Sequence, residues 1–110
     1  MLLPNGEAAI VDIIKLVDYC LNHEHPRGKH KARVFGAALG LTREHAEPLR
    51  SALLRAAASA EAVRTGSDGF GDRYVLQFEM AGPKGTATVL SSWIVRRNET
   101  APRLTSCFVK

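Results

Sequence analysis

At 110 residues, with 45% hydrophobic and 24% charged content, the chain reads as one folded domain over residues 1–110, long enough for a single core. No run of about 18 apolar residues offers a membrane span, and no charged, apolar and small-residue succession marks export, so the expected address is the cytoplasm with no membrane contact. A formal net charge of +4 favours a polyanionic partner, nucleic acid above all.

Taken in order, Met1–Glu7 is a turn-like lead-in and Ala8–Val11 a short strand. Asp12 then reads as an N-cap, because its carboxylate can accept from the free amides of a helix running from Ile13 to about Leu21. Ile13, Leu16, Val17, Cys20 and Leu21 keep the i, i+3, i+4, i+7 spacing of a buried stripe. Cys20 and Cys107 have no C-x-x-C partner and lie among apolar residues, so both read as reduced core thiols.

The stretch from Asn22 to Phe35 carries most of the charge. Arg27, Lys29, Lys31 and Arg33 against Glu24 give +3 of the chain's +4. Pro26 and Gly28 punctuate it as a restricted loop that holds His23 and His25 and feeds a helix from about Gly28. On that helix Ala32, Val34, Phe35, Ala38 and Leu39 form the apolar arc, opposite Lys29, His30, Arg33, Gly36 and Ala37. Lys31 falls inside the apolar arc. It either snorkels over the end of the core or sits against the next layer as a partly desolvated cation, where binding and catalytic lysines are found.

Gly40 supplies a C-cap and Thr42 a cap for a short turn, Thr42–Ala46. A helix then runs from Pro48 to about Ala60, with Leu49, Ala52, Leu53, Ala56 and Ala60 buried. From Glu61 the period becomes alternating. Ala62–Thr65 reads as a strand edge, and the glycine-rich stretch from Gly66 to Gly71 as a loop without the lysine and hydroxyl residue of a phosphate-binding loop. Tyr74–Met80, Thr86–Arg97 and Arg103–Val109 read as successive antiparallel strands.

The expected fold is therefore α+β, two to three N-terminal helices on one face of an antiparallel sheet of three to four strands. Gln77 and Glu79, with serines and threonines among Ser91, Ser92, Thr105 and Ser106, fall on the open side. Trp93, flanked by Ser92, Arg96 and Arg97, is either core filler or a base-stacking platform.

For chemistry, the three close histidines have no acidic or cysteine ligand at matching spacing, and cationic neighbours oppose a divalent ion, so neither a metal nor another cofactor is expected. Metal-independent RNA cleavage needs a general base, a general acid and cations around the phosphate. His25 (or His30) and Glu79 suit the acid and base roles, with Lys31, Arg27 and Arg33 on phosphate.

The run Lys15-Leu16, Asp18-Tyr19, Leu21-Asn22, Glu24-His25-Pro26, Gly28, Lys31-Ala32 and Phe35, with Trp93-Ile94-Val95 and Pro102-Arg103-Leu104, resembles a family of small, uncharacterised bacterial domains. Their signature is N-P-E-H-P-x-G-x-x-K-A-x-x-F, and they occur alone and as tips of larger toxin-like proteins. One departure is His23, where the family has proline. The resemblance implies the toxin of a toxin and antitoxin pair, with a layout similar to the barnase, colicin and RelE group of RNA-cleaving domains. Carried over by position, it points to His25 and Lys31, and to Trp93.

The resulting expectation is a ribonuclease toxin with His25, Lys31 and Glu79 catalytic. Arg27, Lys29, His30, Arg33, Trp93 and Thr105 would bind substrate, and a small acidic antitoxin protein would be the partner. The alternative is a non-catalytic module that binds nucleic acid or an acidic partner protein through residues 22–35.

Overall fold

Asp12 opens the first helix as its composition requires: the Asp12 carboxylate accepts from the Ile14 amide at 3.0 Å. Helix α1 begins as Ile13–Lys15 and widens into a π-helical turn over Leu16–Cys20. The computed structural model describes residues 1–110. Helix α2 likewise runs over Lys29–Val34 and widens over Phe35–Leu39, ending at Gly40, whose φ of 74° is the left-handed conformation of a glycine C-cap. A 3-10 turn, Arg43–His45, capped by Thr42, leads into α3, Ala46–Ser59.

α3 starts two residues earlier than the position of Pro48 suggests. A proline fits there because the amides of a helix's first turn have no intrahelical partner to lose. Its stripe is as expected at Leu49, Ala52, Leu53 and Ala56, all buried. On α2, Val34 departs from the expected arc and is 42% exposed. The buried stripe centres on Gly28, Ala32, Phe35 and Leu39, and Val34 lies roughly 120° away from that centre at 100° per residue. Lys31 lies within about 60° of it, and so stays in the apolar arc.

Four antiparallel strands follow in the order β1-β2-β3-β4: β1 Ala62–Ser67, β2 Gly71–Gly82, β3 Gly85–Arg96 and β4 Arg103–Val109. The glycine-rich loop is shorter than its composition implied. The Asp68 carboxylate accepts from the Phe70 and Gly71 amides and pairs with Arg73, which closes the turn in three residues. The expected strand at Ala8–Val11 is reduced to one parallel bridge, Ile10 beside Arg103, with Gly6–Ala8 coiled as a 3-10 turn.

Tyr74, Leu76 and Met80 of β2, Val89, Ser91 and Trp93 of β3, and Leu104 and Cys107 of β4 are buried under the helices, while Gln77 and Glu79 are exposed. Leu104 and Cys107 are three apart rather than two. The pairing of Ser92 with Ser106 and of Trp93 with Leu104 leaves Thr105 as the extra residue of a bulge. A bulge re-aims the side chains beside it, and this one lies on the edge strand facing α1 and α2.

Candidate functional site

Three elements bring polar side chains to that bulge. Lys31, in the first turn of α2, donates to the Tyr19 hydroxyl of α1 and to the Ser106 hydroxyl of β4, each at 2.8 Å. Its ammonium also lies 4.6 Å from the Tyr19 ring centroid. Lys31 is half-buried, so of its two sequence readings the partly desolvated cation is the one realised. Burying an ammonium is costly unless its donors are used, and two hydroxyls and a ring face answer that requirement here.

Tyr19 and Ser106, the two residues that hold Lys31, line a cleft of about 430 Å³ together with Lys15, His25, Arg27 and Thr105. The Lys15 ammonium reaches the Thr105 carbonyl at 3.5 Å, so the bulge residue is held from the cleft side while its own hydroxyl donates to the Ser92 carbonyl. The cleft wall thus carries two cations, Lys15 and Arg27, and no carboxylate, with the Lys31 charge behind Tyr19 and Ser106. Such a surface accepts an anion.

His25 is built into the loop as a helix cap. The Lys29 amide donates to the His25 carbonyl at 3.0 Å, so the helical turn begins at His25 with Pro26 in the first position, where its missing N–H costs nothing. The His25 Nδ1 accepts from the Arg27 and Gly28 amides at 3.0 and 2.9 Å, which is what an N-cap side chain does. With Nδ1 an acceptor, the neutral ring carries its proton on Nε2. The ring also stands edge-on to Tyr19, with centroids 4.8 Å apart and planes at 88°. Gly28 is needed for closeness alone: a Cβ there would lie 2.2 Å from the Tyr19 carbonyl oxygen.

Beneath Lys31 lie Cys20 and Cys107, both free and fully buried. A hydrogen bond from Cys107, helped by the Lys31 charge and by Ser106, brings the Cys20 thiol down to about 7 against the opposing effect of burial. The Cys107 thiol is pushed up, first by its bond to Cys20 and then by burial.

Of the residues singled out from the sequence, His25, Arg27 and Thr105 line this cleft, and Lys31 stands behind it on Tyr19 and Ser106. The others do not. Glu79 accepts a hydrogen bond from Thr88 and lines a separate groove with Arg55 and Phe78, so it is not in the cleft to serve as its base. Trp93 is 1% exposed, with its indole N–H donated to Ser91 at 2.9 Å, so no ring face is available for stacking. Ser91 is likewise buried in the core rather than on the open side. Lys29 and His30 are exposed on α2, and Arg33 lines a different depression with His23, Thr42 and Lys84. Helical spacing turns these three away from Lys31. No group of three or more His, Cys, Asp or Glu side chains is gathered in a metal-holding arrangement.

Tyr19, Lys15 and Ser106 were not assigned to the site from sequence. Lys15 and Tyr19 stand four apart on one helical face, which was the available signal; their distance from β4 along the chain concealed the rest.

Comparison with known proteins agrees with the fold. A chain of a contact-dependent growth inhibition toxin and immunity protein complex from Klebsiella pneumoniae 342 superposes with a TM-score of 0.67 at 18% identity, over 96% of this chain and 97% of that one. At that identity the likeness is one of fold. No curated protein matches significantly. The model of a family described as Domain of unknown function (DUF6883) matches residues 2–110.

Proposed function

We propose that this chain, which belongs to the DUF6883 family, is a toxin domain that cleaves RNA without a metal ion, in the cleft between α1, α2 and the β4 bulge. One observation supports the reading: Lys31 is held by Tyr19 and Ser106, which line a cleft whose charged residues are Lys15 and Arg27. Attack by a ribose 2′-hydroxyl on the neighbouring phosphorus, its proton passing to water, forms the 2′,3′-cyclic phosphate and breaks the P–O5′ bond, the departing 5′ oxygen taking a proton in turn. On the way it adds negative charge to the phosphoryl oxygens. A preorganised, partly desolvated ammonium stabilises that charge more strongly than water does. Lys31 takes this role, Arg27 and Lys15 hold the flanking phosphates, and His25 offers its Nε2–H as a donor to a phosphoryl oxygen. The Tyr19 hydroxyl is the proton-carrying group beside the ammonium.

The fold similarity to a chain of a toxin and immunity protein complex supports the toxin reading, and a cationic cleft suits an acidic protein that blocks it. Incubation of the purified protein with a defined RNA in EDTA tests the proposal. Products ending in 2′,3′-cyclic phosphate, formed at least about a hundredfold more slowly with Lys31→Met, are expected.

The second reading is a non-catalytic module that binds RNA or an acidic protein. It is favoured by the His25 Nδ1, which is occupied by two backbone amides and so is not free to act as a base. Salt-sensitive RNA binding with no cleavage by the wild type would establish it in place of the ribonuclease.

A further inference from the structure

Next to the cleft is a smaller depression of about 100 Å³, lined by Ile10, Asp12, Lys15, Arg96 and Arg103 among others, with Thr105 and Ile94. Lys15 and Thr105 belong to both hollows. The two are therefore consecutive stations of one path, running from the cleft across the start of β4 to the end of β3.

The charges of the second hollow are not all free. Asp12 is committed to capping α1 through the Ile14 amide. Arg103 is held in a two-pronged pair by the Glu99 carboxylate, at 2.8 and 3.0 Å. Arg96 is exposed and forms no ion pair, and Lys15 touches only a carbonyl. The remaining lining is Thr105 and three aliphatic residues, of which Ile10 is 38% exposed while Ile94 and Leu104 are buried. A shallow hollow of about 100 Å³ with an aliphatic patch at Ile10, one cation at the shared wall and one at the far rim suits a sugar or the edge of a base against aliphatic carbon, with a phosphate at each end.

We propose that this depression is the subsite for the nucleotide one step beyond the pair that spans the cleaved phosphate, with Lys15 holding the flanking phosphate between the two stations and Arg96 the next one along. The substrate is then single-stranded RNA longer than a dinucleotide, since a paired base faces its partner and cannot enter. This assignment rests on the ribonuclease reading of the cleft and extends it.

The test is fluorescence anisotropy with a dinucleotide and a hexanucleotide RNA, both 2′-O-methylated against cleavage, at several salt concentrations. Wild type is expected to bind the hexanucleotide at least tenfold more tightly. Arg96→Ala should remove most of that gain, leave dinucleotide binding unchanged, and lower the slope of log K against log salt by about 0.7, the value for one phosphate on a single strand. Lys15→Ala should likewise weaken the hexanucleotide, since the dinucleotide's single phosphate is the one assigned to Lys31. If wild type cleaves RNA but Arg96→Ala binds the hexanucleotide as wild type does, the subsite is wrong and the cleft reading stands. If wild type neither binds nor cleaves RNA, both are wrong.

Discussion

The Lys31 ammonium lies 2.8 Å from the Tyr19 hydroxyl and 4.6 Å from the centre of the same ring. One side chain of α1 therefore answers the charge of α2 twice, through an oxygen and through a π face. This pairing explains how a lysine is accommodated within an otherwise apolar helix stripe.

Replacing Lys31 separates charge from packing. Lys31→Met keeps the aliphatic stem and removes a half-buried cation, so the melting temperature should hold or rise slightly, because well-packed apolar groups often replace buried charges without loss. RNA cleavage should fall by about 10²- to 10³-fold, the usual cost of one transition-state donor. Thermal melts and single-turnover kinetics on the two proteins check both halves.

His25 has two jobs, and an asparagine distinguishes them. His25→Ala should cost about 1 kcal/mol through loss of the cap. His25→Asn, also a good N-cap residue, should recover most of that stability in urea melts. If cleavage remains depressed in the asparagine variant, the imidazole acts on substrate as well as on the helix.

Gly28→Ala should be poorly tolerated despite an ordinary helical φ of −86°. The new methyl group would meet the Tyr19 carbonyl at 2.2 Å, and the overpacking should cost about 3 kcal/mol. Chemical denaturation measures this. An unchanged midpoint would show that the loop retreats from α1 at little cost.

Stability should vary with pH through the thiol pair. Cys20 titrates near 7 in the folded protein, chiefly through its bond from Cys107, against 9.0 for the ordinary thiol. Between those values the unfolded chain binds more protons than the native one, so stability should rise as pH goes from 7 to 9. Cys107 is shifted the other way: its contribution is present below the ordinary thiol value and is lost at higher pH. Urea midpoints taken across pH 6–10 should climb and then decline, and Cys20→Ser should lack the climb.

Glu79→Gln should leave cleavage within about twofold of wild type, because that carboxylate faces another groove. A loss beyond tenfold would mean that the groove of α3 and β2 takes part in the reaction.

Much of this architecture is legible in local pattern. The caps at Asp12, Gly40 and Thr42, the buried stripes of α1 and α3, and the alternation of β2 follow from neighbours within a few residues, and local rules capture such features. The H-P-x-G run also turned out to have a local meaning, cap, first helical proline and close approach, although its shape suggested chemistry. What lay beyond reach depends on pairings across the chain. Trp93 was open between core and surface because alternation does not say which face is covered. Glu79 met the chemical need for a base but not the geometric one. Ser106 joined the site through a bulge, and a one-residue slip in register leaves no local signature.

The bonds that define the cleft join residues far apart in sequence: Lys31 to Ser106 spans 75 positions and Lys15 to Thr105 spans 90. An emerging polypeptide lacks them until β4 docks, and any opening that lifts β4 from the sheet dissolves them. The proposed activity is thus tied to the docking of β4, and a partner that kept that strand undocked would abolish the cleft without covering a single one of its residues.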